Sequence, residues 1–206
     1  MEVEIFVGAA ETKLPPVLRS QPRLLVHSQA TRWRYGRWYS RVAKHVSGAA
    51  ARATQLRRTG ANVIARHQVN PFDAIYQFST PELFALYGRR HRLPPVVVHP
   101  EVHAAGELRW HQRERALAMG AESRGRHFAI RSMLAARSAV QHQDLSRADL
   151  VIAPASRFAE LLRQDCDVSD DRIRVVPNPI DVKRFQPGDG PRRDEPRRVL
   201  FVSRPP

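Results

Sequence analysis

His99, Glu101 and His103 alternate with other residues in the stretch "HPEVH" at 99 to 103. Two imidazoles and a carboxylate this close could ligate a metal, move protons or hydrogen-bond a polar ligand, and the spacing discriminates among these. A zinc protease needs His-Glu-x-x-His on a helix so that both rings share one face; here the Glu is displaced and Pro100 opposes helix. A zinc deaminase also offers His-x-Glu but requires a paired-cysteine motif, and Cys166 is the only cysteine. The pattern therefore favours recognition of a polar ligand, with solvated loop histidines as the plainer alternative.

Other spacings are weaker. Asp165-Cys166-Asp167 has an Asp-x-Asp form that can hold a metal and a sugar nucleotide, but it follows a helix rather than a strand and reads as a helix-terminal loop. Glu114 and Glu122 stand eight apart in an Arg-rich helical stretch, where chance accounts for them. Cys166 excludes an internal disulfide and reads as a small, half-buried side chain. The segment "TRWRYGRWYSR" at 31 to 41 interleaves aromatics with arginine, as a platform for single-stranded nucleic acid would, yet its helical spacing favours core packing under an arginine-coated face. There is no Gly-x-Gly-x-x-Gly, P-loop or Gly-x-Ser-x-Gly elbow, so nucleotide-dependent redox, NTPase and hydrolase chemistry lack their usual anchors.

The elements that must position these residues alternate along the chain. "VEIFVG", "RLLVHS", "FDAIYQFS", "PPVVVH", "ADLVIAPA" and "IRVVPN" read as strands, with the β-branched run at 94 to 99 of the kind buried on both faces of a parallel sheet. Tyr35, Tyr39, Val42, Val46, Ala49, Ala53 and Leu56 share one helix face, and Gly60 is a natural stop for that helix. Pro81 opens a helix "PELFALYGRR", a long weakly periodic helix runs through Ile130 to Leu145, and Ser156 is placed to cap "RFAELLRQ". Strand and helix in alternation predict an α/β fold with a Rossmann-like, doubly wound parallel sheet. Ligands gather there at the carboxyl ends of strands, which points to Ser79 and Thr80, to His99 through Gly106, and to Pro154 through Ser156.

Composition narrows the class further. A chain of 206 residues with 42% hydrophobic content can bury a sizeable core. No run is long and apolar enough for a membrane helix, and the acidic start "MEVEIFVGAA" lacks the basic opening of a secretory signal, so a cytoplasmic location is expected. The net charge of +14 raises nucleic acid or an anionic membrane as partners. However, 31 of the 34 basic residues are arginines spread from Arg19 to Arg204. A peripheral anionic surface at the inner membrane face remains open on this pattern, while nucleic acid is disfavoured.

The stretch "LSRADLVIAPASRFAELLRQDCDVSDDRIRVVPNPIDVKRFQP" resembles the end of the N-terminal domain of family 4 glycosyltransferases, which have the two-domain GT-B fold. The matching residues are Ala148, Asp149, Val151, Ile152, Pro177, Asn178, Ile180, Asp181, Phe185 and Pro187, and the likeness extends back through "PPVVVHPEVHAAGEL" and "FDAIYQFS". The resemblance implies a retaining transferase that moves a sugar from a nucleotide-sugar donor to a glycan or lipid-linked acceptor, with no cofactor and no metal. It implies that a His after the "PVVV" strand reaches the donor sugar, a role open to His99 or His103 as catalytic residues. Ser79, Thr80, Glu101, Gly106 and Ser156 are the expected substrate contacts, and Pro177, Asn178, Pro179 and Asp181 the interdomain hinge. Pro179 stands where the family usually has Gly, and Ala155 about where Ser is common.

By the same resemblance, residues 1–185 form the acceptor-side domain, lacking its first strand and Gly-rich loop. Residues 186–198 would be an interdomain linker, and residues 199–206 the first strand of a donor domain whose Glu-x7-Glu motif is missing. The chain alone is then expected to be inactive. The alternative is a non-catalytic basic module that binds nucleic acid or anionic membrane.

Overall fold

Each of the six runs read as strands forms a parallel strand. The computed structural model describes residues 2–7, 22–28, 54, 57–78, 93–121 and 123–179. Strands β1 (Val3–Val7) and β2 (Leu24–Ser28) pair in parallel as a two-stranded sheet. Helix α1 covers 57–69. A second, four-stranded parallel sheet follows in the order β3 (Ile75–Phe78), β4 (Val96–His99), β5 (Leu150–Ala153) and β6 (Ile173–Val175). Between β4 and β5 come α2 (Ala104–Arg113), α3 (Arg115–Ala121) and α4 (Arg124–Arg147), and α5 (Ser156–Cys166) links β5 to β6. Adjacent parallel strands need such crossovers, and the fold is the expected Rossmann-like α/β layer.

The core lies on one face of the larger sheet. Register places Gln77 beside Val98, Val98 beside Val151 and Val151 beside Ile173, and all four side chains are buried. Leu145 from α4 and Ala159 and Leu162 from α5 complete this cluster, each fully buried. Truncating Leu145 or Leu162 to Ala would cost about 2–5 kcal/mol, by lost transfer energy and the cavity left behind. The opposite face carries Tyr76, Phe78, Val97, Leu150 and Ile152, all at least partly exposed. Burial on both faces, expected for the run at 94 to 99, holds in part: Val96 and Val98 are buried on one face, and on the other His99 is buried whereas Val97 is half-buried. Only Ile173 of β6 enters the core, and Val175 and Val176 stay exposed because β6 is an edge strand.

Two backbone expectations also change. Gly60 does not end a helix; it sits buried inside α1, which continues to residue 69 and sends Val63 into the core. Ser156 is not a cap but the first residue of α5, exposed, with Ala155 in the extended cap position and no side-chain cap bond. Asp149, by contrast, does shape the fold. Its carboxylate accepts the Val96 N–H at 2.7 Å while its own N–H donates to the Val96 carbonyl at 3.1 Å, which locks the starts of β4 and β5 together. Arg172 secures the other end of this corner, donating to the Ser146 and Ala148 carbonyls.

Candidate functional site

The β4 to α2 connection carries the histidine pair. His99 closes β4, Pro100 is buried behind it, Glu101 points outward and exposed, and His103 occupies the extended cap position of α2. Gln141, buried on α4, braces this short loop from behind. Its Oε1 accepts the Ala104 N–H at 2.8 Å and its Nε2 donates to the Val102 carbonyl at 2.6 Å. A buried amide satisfied on both ends fixes a loop far better than apolar packing, because either bond left unmade would cost the desolvation of its partner.

His99 is held from the neighbouring strand. Phe78 is its register partner on β3, and Tyr76 lies on the same face two residues earlier. The Tyr76 hydroxyl sits 2.6 Å from His99 Nδ1, and the rings of Tyr76 and Phe78 both meet the imidazole edge-on. His99 is buried, whereas both aromatics are more than half exposed. Among the described residues, Nε2 is the ring nitrogen of His99 left without a partner.

His103 is enclosed instead. Its Nε2 lies 2.8 Å from Asp165 Oδ2, an electrostatic contact rather than an aligned hydrogen bond, and its ring meets Phe158 edge-on. Its Nδ1 faces Gly106 so closely that a Cβ there would stand 2.6 Å away. Burial holds the His103 imidazole below its ordinary 6.5, Asp165 draws it partly back up, and Arg109 opposes that. His103 is therefore mainly neutral at neutral pH. Asp165 also takes a bidentate pair from Arg109, with both bonds at 2.7 Å. Those bonds hold its carboxyl below the usual 3.8.

Spacing alone misses Asp165 and Gln141. Asp165 sits in the last turn of α5 rather than in a loop, and it ties α5 to α2 across 56 residues of sequence. Asp167 follows as the left-handed cap. Cys166 is fully buried, and burial pushes its thiol up to about 12, so it is inert rather than reactive. Among the described residues no group of three or more His, Cys, Asp and Glu side chains gathers to hold a metal. No described helix is long and apolar enough to cross a membrane.

The remaining expected contacts scatter. Gly106 packs against His103 and also lines a shallow, mostly apolar groove of about 400 Å³ with Glu107, Trp110, His111 and Leu134. Ser156 is exposed at the start of α5. Pro177, Asn178 and Pro179 are exposed and extend from β6, while Asp181, Ser79, Thr80 and the segment 31 to 41 lie outside the described residues. So do the linker and the final strand expected at 186–206.

Comparison with known proteins adds one match. A family model described as Glycosyltransferase Family 4 aligns with residues 41–184, well over half of the chain and spanning β3 to β6. No curated protein matches it.

Proposed function

The chain belongs to glycosyltransferase family 4, and we propose that it is the acceptor-side half of a retaining enzyme that transfers a sugar from a nucleotide sugar to a glycan or lipid-linked acceptor. In that reaction the bond between the anomeric carbon and the diphosphate breaks and a bond to an acceptor hydroxyl forms, so the nucleoside diphosphate leaves. His99 is the sugar-facing residue in this reading. It stands at the carboxyl end of a central strand, where α/β folds collect ligands, and its Nε2 has no partner among the described residues. Both nitrogens of His103 face protein groups, so His103 serves to set the loop rather than to touch substrate. The exposed carboxylate of Glu101 is suited to an acceptor hydroxyl.

The single observation that carries the reading is the family match over 41–184, with His99 at the strand end inside it. Saturation-transfer NMR on the chain with uridine, guanosine and adenosine diphosphate sugars tests it. Sugar protons should receive saturation from the native chain and lose it in His99→Ala, while His103→Ala lowers it only through the loop. A native chain that transfers saturation to no nucleotide sugar and to no glycan would sink the proposal.

A further inference from the structure

We propose that Tyr76 is a positioning residue for His99: its hydroxyl donates to Nδ1 and so fixes the imidazole as the Nε2–H tautomer, presenting a hydrogen-bond donor at the carboxyl end of β4. The inference rests on the reading of His99 as the sugar-facing residue, but its core, the Tyr76 to His99 bond, stands on geometry alone.

Three observations carry it. The hydroxyl approaches Nδ1 to 2.6 Å, within bonding distance for O–H and N. Phe78 and Tyr76 stand at 79° and 85° to the imidazole, at centroid distances of 5.2 and 6.1 Å, so the ring is walled on the β3 side and Nδ1 is kept facing the hydroxyl. Third, Tyr76 as a residue is 57% exposed although its hydroxyl reaches a buried partner. Tyr76 is not among the buried core residues, and its contacts, through both ring and hydroxyl, go to His99.

The proposed direction requires that the phenol hold a proton to give. Burial pushes the Tyr76 phenol above its ordinary 10.0, so it stays protonated and can donate. A hydroxyl donating to Nδ1 leaves the imidazole proton on Nε2, the nitrogen with no partner among the described residues. That nitrogen can then donate to a sugar hydroxyl or a phosphate oxygen. The reverse arrangement, with Nδ1–H donating to the phenol oxygen, would leave Nε2 as an acceptor unable to bind phosphate oxygen.

Nitrogen-15 imidazole NMR on the whole chain separates the two, with the His99 signals assigned by their loss in His99→Asn. In the native protein Nδ1 should appear bare and Nε2 protonated. In Tyr76→Phe, which removes one oxygen from an exposed ring, the preference for Nε2–H should fall about five-fold, the loss of one hydrogen bond. Phe78→Leu keeps the hydroxyl and should keep the native tautomer. A protonated Nδ1 in the native chain, or unchanged His99 shifts in Tyr76→Phe, overturns the proposal. Adding a uridine diphosphate sugar is a separate arm: a native tautomer as described with no Nε2 response counts against the transferase reading and leaves the Tyr76 bond standing.

Discussion

Asp144 supplies the sharpest quantitative test of how the α4 layer is built. It lies on the buried face of α4, one turn beyond the loop-bracing Gln141, and is only 3% exposed. Burial pushes its carboxyl up from 3.8 to about 7, against the opposing pull of Arg147. A carboxyl whose folded value is raised contributes its full stability below the unfolded value near 3.8, and that contribution is lost as pH rises toward 7. Asn at this position has the same shape and no charge to bury. Between about pH 5 and about pH 8 the advantage of Asp144→Asn over the native chain should therefore grow by about 2 to 3 kcal/mol, the part of the three-unit shift that falls in this window. Urea unfolding of both proteins at the two pH values, followed by far-ultraviolet circular dichroism, reads this directly, since other titrating groups cancel in the difference. An advantage that is the same at both values, or larger in acid, would show that Asp144 is ionised in the fold and refute the argument.

Two further outcomes probe the enclosure of His103. Asp165→Asn releases Arg109 and the imidazole together and should cost about 1–2 kcal/mol at neutral pH, a modest figure because half of the Arg109 side chain is exposed to water. Because the Asp165 carboxyl is held below 3.8, its contribution is present above that value and fades as pH falls through the lowered one, so native and variant melts should converge in acid. Gly106→Ala sets a helix-propensity gain of up to about 1 kcal/mol against a Cβ placed 2.6 Å from His103 Nδ1. With the ring held by Asp165 and Phe158 the clash should win by about 1 kcal/mol in urea midpoint experiments, and a stabilised variant would show the ring free to swing away.

The strands were legible because their signal is local. Val96 to Val98, Val151 to Ala153 and Ile173 announce themselves by β-branched and aliphatic runs bounded by Pro or polar residues, which four to eight neighbours suffice to define. Helix ends were less so. Nothing in "APASRF" says that the extended backbone falls at Ala155 rather than Ser156, and a buried glycine such as Gly60 looks like a stop until tertiary packing on the Val63 face overrides its propensity cost. The site divides in the same way. The histidines stand out by spacing, whereas Asp165, Gln141 and Tyr76 reach them over 62, 38 and 23 positions respectively in the case of His103, His103 and His99, if Gln141 is counted to the loop it braces. Such long-range partners leave no periodic trace.

Those three partners also explain why two histidines four residues apart end in different surroundings. Around His103 every approach is occupied: a carboxylate at Nε2, a glycine backbone against Nδ1, the Phe158 ring and a satisfied amide behind the loop. Fixing the start of α2 in this way fixes Pro100 and with it the last residue of β4. His99 is then oriented by Tyr76 and Phe78, and its Nε2 has no partner among the described residues. Catalytic groups work when their own geometry is set before the ligand arrives. The contacts around His103 are thus the support on which the proposed role of His99 depends.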